Sequence, residues 1–256
     1  MKKAWKIPVA FLGLGVLWEL VCLTGWFSES LFPSPISAIV ALWEVIADGS
    51  LFLSIGASMY RFLIGYLSAA IVATILGLLL GWFISAWEFA NPIVQFLRPI
   101  SPVAWLPFIV LWFGIGDTPA IVIIFIAAFF PVLLSTVSAV AKIDPVYLKV
   151  GANFGVPQHK VITKIVFPVV FPQIISGLRL AIGTAWIFLV VGEMVGAQSG
   201  LGYMIVDARN NVQLDTLMAT IIVIGILGLV LDSLVRYVES VVSSKWGFGA
   251  EGGRKG

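Results

Sequence analysis

The sequence is poor in the residues that build soluble catalytic centres. It has one cysteine, Cys22, and one histidine, His159. A single cysteine excludes an intrachain disulfide and a cysteine-based metal centre, and a single histidine excludes a multi-histidine one. Charged residues make up 11% of the 256 positions, against about 25% in an average soluble domain. The net charge of +2 is too small for a nucleic-acid footprint. No Gly-x4-Gly-Lys-Ser/Thr loop occurs, so the chain lacks the usual cradle for nucleotide phosphates. Its scattered carboxylates and lone histidine supply no catalytic pairing and no metal ligand set, and we assign it no cofactor of its own.

Apolar residues are abundant instead. They make up 60% of the chain, against roughly 45–50% in soluble domains, and mean hydropathy is +1.08. A soluble fold of this length cannot bury so much apolar side chain, so much of the surface faces lipid. Counting stretches of about 20 apolar residues gives an all-α integral membrane protein with six spans. They lie near 7–27, 54–87, 93–113, 118–140, 169–195 and 214–238, in one transmembrane domain over 1–256. The second is long for one crossing, so it tilts or projects into water. The first is read as a retained anchor. It carries Glu19 and two tryptophans, and no small-x-small cleavage site follows it at Trp26-Phe27-Ser28-Glu29.

Basic residues orient the spans. With the N-terminus in the cytoplasm, that side holds Lys2, Lys3, Lys6, Arg98, Lys142, Lys149, Lys160, Lys164, Arg236, Lys245, Arg254 and Lys255. The opposite side keeps only Arg209, and Arg61 and Arg179 fall inside spans. An even span count returns the basic C-terminus to the cytoplasm as well. Outside, residues 35–46 read as a short amphipathic helix, with Ser34 as cap and Pro35 at its first position. The Gly- and Asn-rich stretch 196–215 reads as a lid or a plain loop.

Charges within spans need partners or water. Glu19 and Arg61 both fall in the outer half, which makes them an expected pair, with Glu193 competing for the same arginine. Arg179 and Glu193 are about 21 Å apart along one helix, so Asp232 is the expected partner of Arg179. Either these five residues only brace the helices, or Arg179 or Arg61 offers positive charge to an anion in a central pathway. Gly65, Gly77, Gly81, Gly177 and Gly183 are expected to permit close helix contacts.

The cytoplasmic segment 141–168 holds four lysines. Asp144 and Pro145 open a helix there and Gly155 closes it, giving a short water-facing element suited to docking. Gly151, one turn before Gly155 on the same face, is expected to let a partner's surface approach the backbone.

This segment resembles the EAA loop of binding-protein-dependent ABC importer permeases: a Glu-Ala-Ala triplet, three residues, glycine, nine residues, then Ile-x-Leu-Pro. Here Lys149-Val150-Gly151 stands at the triplet and Ala152-Asn153-Phe154 follows. Gly155 comes next, then Val156, Pro157 and the rest of a nine-residue stretch, then Ile165-Val166-Phe167-Pro168. Lysine replaces the glutamate, while the glycine, the spacing and the final proline match. Leu31-Phe32-Pro33-Ser34-Pro35, Ser58-Met59-Tyr60-Arg61, 106–114 (Leu-Pro-Phe-Ile-Val-Leu-Trp-Phe-Gly), Gly177-Leu178-Arg179 and Gly200-Leu201-Gly202-Tyr203 resemble the branch serving sulfonates, taurine and nitrate.

The resemblance implies a type I, MetI-like permease fold with cytoplasmic termini. It implies a second permease copy, two cytoplasmic ATPase subunits that bind ATP and Mg, and an extracytoplasmic solute-binding protein. The loop at 149–168 would be the coupling element on the ATPase. The alternative is a standalone secondary transporter, which calls for broken helices at matching positions of two repeated halves; no convincing internal repeat is present.

Overall fold

The computed structural model describes residues 6–26, 28 and 31–245. The expectations placed on Lys2, Lys3, Phe27, Glu29, Arg254 and Lys255 lie outside them. Within them the chain is helical, with no strand. The described residues divide into two compact units, one within 1–58 and 199–226, the other within 59–198 and 227–256.

The helices are α1 (Lys6–Leu23), α2 (Pro35–Ala47), α3 (Ser50–Trp82), α4 (Ile84–Leu97), α5 (Leu106–Phe113), α6 (Asp117–Ala141), α7 (Pro145–Asn153), α8 (Gln158–Val161), α9 (Phe167–Gly196), α10 (Leu201–Asn210) and α11 (Leu214–Lys245). A 3-10 turn, Pro102–Trp105, precedes α5, and a π-helical turn, Ile162–Val166, joins α8 to α9. Among the described residues four helices are long and apolar enough to cross a membrane: α3, α6, Ile162–Gly196 and Leu214–Val241. The pair α4 and α5 makes a fifth crossing only as a bent one, with 84° between its halves. Helix α1 has 18 residues, about 27 Å, just under the thickness of a hydrocarbon core of about 30 Å.

Two expected boundaries change. The stretch expected to cross at 93–113 is not one helix. Pro99 and Pro102 lack the N–H a continuing helix requires, and Ser101, held before Pro102, is extended at φ −59° and ψ 135°. The stretch expected to cross at 54–87 stops at Trp82, because Phe83 leaves helical geometry at φ −97° and ψ 91°.

In the larger unit α6 is central. Half of its most apolar window is buried, against 17% in α11. One side of α6 receives a four-residue repeat of small side chains on α3: Gly65, Ala69, Ala73, Gly77 and Gly81. Ala69 and Ala73 are fully buried. A Cβ on Gly65 would lie 2.7 Å from the Ile121 carbonyl oxygen, one on Gly77 2.6 Å from Thr136 Cβ, and one on Gly81 2.7 Å from Val140 Cβ. Absent side chains thus set how closely the two backbones approach. The other side of α6 packs on α9, where Gly177 faces Ser135, Gly192 faces Ala120 and Gly196 faces Pro119. Gly183 departs from the expected role: nothing lies within 4 Å of its Cβ position, so it opens onto the surface of the chain. Thr136, buried in α6, donates its hydroxyl to the Val132 carbonyl at 2.8 Å.

In the smaller unit α2 begins as expected. Ser34 Oγ accepts the Ser37 N–H at 3.2 Å and Pro35 occupies the first turn. Ala38, Ala41 and Val45 form its buried face, and Ile36, Ile39, Val40 and Trp43 stay exposed. The Trp18 indole N–H donates to the Pro33 carbonyl at 3.1 Å, tying α1 to the turn before α2. Between α2 and α3, Asp48 accepts the Ser50 N–H at 2.8 Å. Hydrogen bonds from the Ser50 hydroxyl and then its backbone N–H hold the Asp48 carboxyl below its ordinary value. The stretch 196–215, expected as a lid or loop, contains α10. Gly200, at φ +101°, turns the chain into it, and its first two residues, Leu201 and Gly202, are buried.

Candidate functional site: coupling loop and buried charges

The loop at 141–168 folds from local signals. Asp144 Oδ1 accepts the Val146 N–H at 2.9 Å, and Pro145, with no N–H to satisfy, takes the first position of α7. At the other end Gly155 sits at φ +69°, a region closed to most side chains. Its N–H donates to the Ala152 carbonyl and the Val156 N–H donates to the Gly151 carbonyl, both at 3.0 Å. This paired closure is the Schellman motif, and it satisfies carbonyls that a nine-residue helix would leave open. Pro157 then caps α8 with extended geometry, and Ile165 and Pro168 lead into α9.

The two faces of α7 differ. Gly151 is buried, and Ile165 Cδ1 occupies the place a Cβ on it would take. The expectation that a partner approaches Gly151 is therefore corrected: Ile165 of the same loop fills that space. The adjoining side of α7 shows Val146, Tyr147, Val150 and Phe154, with Phe154 83% exposed, and Lys149 and Asn153 are exposed further round. Positions 146, 150 and 154 are one turn apart and form a stripe.

Arg61 on α3 is 2% exposed. Its Nη1 lies 2.7 Å from Glu193 Oε1, and its Nε and Nη2 lie 2.7 and 2.6 Å from Asp117 Oδ1. Glu193 is fully buried and Asp117 about half exposed. The expected Glu19–Arg61 pair is thus corrected: Glu193 wins the competition, Asp117 adds a second carboxylate, and Glu19 forms no ion pair among the described residues. Depth along the spans matched Arg61 with either acid, but helix order in space does not follow from depth. Asp117 was missed because it lies just outside the fourth apolar stretch; its signal is an acid opening a helix, where the dipole favours it.

Arg179 meets Asp232 as expected, Nε to Oδ1 at 3.7 Å, and also Glu239, Nη1 to Oε2 at 2.9 Å. Arg236 shares Asp232 one turn along α11. Glu239 was missed because it lies just beyond the expected end of the sixth span.

The remaining motif residues are structural neighbours. The Ser58 hydroxyl, fully buried, accepts the Leu201 N–H at 2.9 Å, satisfying a donor at the start of α10. The Tyr66 hydroxyl donates to the Leu178 carbonyl at 2.9 Å. Gly116, at φ +146°, donates its N–H to the Gly196 carbonyl at 2.7 Å, closing the corner where α6 begins and α9 ends.

Residues 69–244 match the family described as binding-protein-dependent transport system inner membrane component, and the chain belongs to that family. It is 34% identical over 236 residues, 92% of its own length and 85% of the relative's, to a putative aliphatic sulfonates transport permease protein of Bacillus subtilis. It is also 34% identical over 251 residues, 94% of its own length and 88% of the relative's, to a nitrate import permease protein of Leptolyngbya laminosa. Among solved structures, the inward-facing MetNI methionine ABC transporter matches with TM-score 0.57 at 16% identity, over 80% of this chain and 96% of that one. That likeness shows a shared, MetI-like fold. The chain is therefore an ABC importer permease subunit and an integral inner-membrane protein. Its relatives are named as permease proteins.

Proposed function

We propose that this subunit carries a small anion, such as a sulfonate or nitrate, into the cytoplasm by ATP-driven alternating access. Two copies form the pathway, with N- and C-termini inside and α1 as a sixth crossing. Two partner ATPases bind ATP and Mg, and an extracytoplasmic binding protein delivers the solute. The observation that carries this reading is α7: capped at both ends, with an apolar stripe exposed on one face. An exposed stripe of Val146, Tyr147, Val150 and Phe154 calls for a hydrophobic cleft on another protein. ATP binding closes the ATPase pair, draws the two α7 helices together and opens the pathway outward; hydrolysis resets it.

The stripe is tested with Tyr147→Asp/Phe154→Asp. Both side chains are exposed, so the variant should insert normally and lose ATPase co-purification and solute uptake at least tenfold. Wild-type association and uptake in a normally inserted variant would remove α7 as the docking element. Orientation is tested separately. Single cysteines at Ser50 and Asn210 should react with an impermeant thiol reagent on intact cells, whereas one at Gln158 should react only after lysis. Labelling of the Gln158 cysteine from outside overturns the cytoplasmic placement of the loop.

A further inference from the structure

Polar side chains without partners are rare on membrane helices, because each costs free energy unless water or solute meets it. One group of them lies together at the end of the larger unit that carries α7. A cavity of about 690 Å³ opens between the last turns of α6, the first turns of α9 and the start of α7. Helix α6 contributes Ser135 and Ser138, followed directly by Lys142, at positions that fall along one face. Helix α9 contributes Gln173 and Ser176 from its facing stripe. Each helix thus turns its polar residues toward the same space.

Bonding separates the occupied groups from those available. Ser135 Oγ donates to the Val132 carbonyl at 2.9 Å. Ser176 Oγ lies 3.1 Å from the Pro172 carbonyl and 3.3 Å from Glu239 Oε1. Ser138, Lys142, Gln173 and the Tyr147 hydroxyl have no side-chain hydrogen-bond or ion partner among the described residues. The acid at the rim, Asp144, has Oδ1 engaged in capping α7. The ammonium of Lys142 stands at the C-terminal end of α6, where the helix dipole favours a cation. The Asp144 carboxylate stays charged while it caps α7, but it forms no ion pair with Lys142 among the described residues. An ammonium without an ion pair, grouped with hydroxyl and amide donors, is chemistry for an oxyanion.

We propose that this cavity is an anion site at the inner end of the permeation path. There Lys142 with Ser138 and Gln173 holds a sulfonate- or nitrate-like solute before release. The placement at the inner end rests on the permease reading; the anion site itself rests on the cavity. Tyr147 lines the cavity and also belongs to the exposed face of α7, so the site touches the docking helix directly.

The test uses the full chain with its partner ATPase in lipid nanodiscs, where both faces are accessible. In a Cys22→Ser background, Ser138→Cys is modified with an anionic and a cationic methanethiosulfonate, and rates on this chain are read by mass spectrometry. Adding Lys142→Gln should lower the anionic-to-cationic rate ratio about tenfold, as expected for removing one nearby unit charge. Millimolar nitrate or butanesulfonate should slow modification several-fold in the Lys142 protein and not in the Gln variant. An unchanged ratio, absence of protection by both anions, or a thiol that neither reagent reaches would each overturn the site. The two readings separate cleanly. Protection without uptake of any anion in cells keeps the site and removes the anion-import reading, and uptake without protection does the reverse.

Discussion

Arg61→Leu should remove most of the folded protein. Glu193 is fully buried and would lose the guanidinium 2.7 Å away. Breaking one half of a buried pair costs about 3–5 kcal/mol, a large share of a total stability of about 5–15 kcal/mol. The loss should appear as a collapsed monodisperse peak and a lowered unfolding temperature in detergent. Adding Glu193→Leu should restore much of it, since replacing a buried pair by apolar side chains is often near neutral. Adding Glu19→Leu should restore nothing, because Glu19 forms no ion pair among the described residues. Asp117, about half exposed, should contribute less, and Asp117→Asn should be the mildest of these changes. Rescue by Glu19→Leu with none by Glu193→Leu would refute the observed pairing.

Gly65→Leu should be comparably severe, and Gly183→Leu should not. A Cβ at Gly65 meets a backbone carbonyl at 2.7 Å and Ile124 Cβ at 2.8 Å, so the only relief is to part α3 from α6 along their length. Overpacking by a few methylenes typically costs about 1–3 kcal/mol when side chains can move; here backbone must move, so the upper end is expected. At Gly183 nothing lies within 4 Å, and the chain's own fold accepts the leucine. Unfolding temperatures of the two purified variants should therefore differ by several degrees or more. Equal losses would mean that the α3 stripe does not set the helix spacing.

Local chemistry was legible in the sequence and neighbourhood was not. Ser34-Pro35, Asp144-Pro145 and Gly155 announced α2 and α7 because caps and turns are decided within a few residues. Helix α10 was hidden by Gly200, Gly202, Asn210 and Asn211, which read as loop, although the glycines serve its entry and the asparagines its exit. The bend before α5 was marked by Pro99 and Pro102 and was masked because hydropathy averages over a window and ignores missing N–H groups. Gly151 reads as open to a partner because helical register says nothing of what fills the space beside it, and Ile165, which fills it, lies fourteen residues further on. Arg179 and Asp232 were matched by depth. The same criterion left Arg61 with two acids of similar depth and no means of choosing between them.

The closed ends of α7 also have a mechanical meaning. A short helix that frays absorbs a push as unwinding. This one is pinned by Asp144 at its start and by two hydrogen bonds around Gly155 at its end, so it shifts as a stiff piece. Its buried side bears on Ile165, which belongs to a continuous 35-residue rod, Ile162–Gly196, about 50 Å long. Arg179 lies near the middle of that rod and Glu193 near its far end. A tilt of about 5° about the α7 end carries the far end roughly 4 Å across, more than the reach of the Arg61–Glu193 contact. Ile165 and Glu193 thus stand near the two ends of one helix, so a tilt of that helix moves the support of α7 and the partner of Arg61 together.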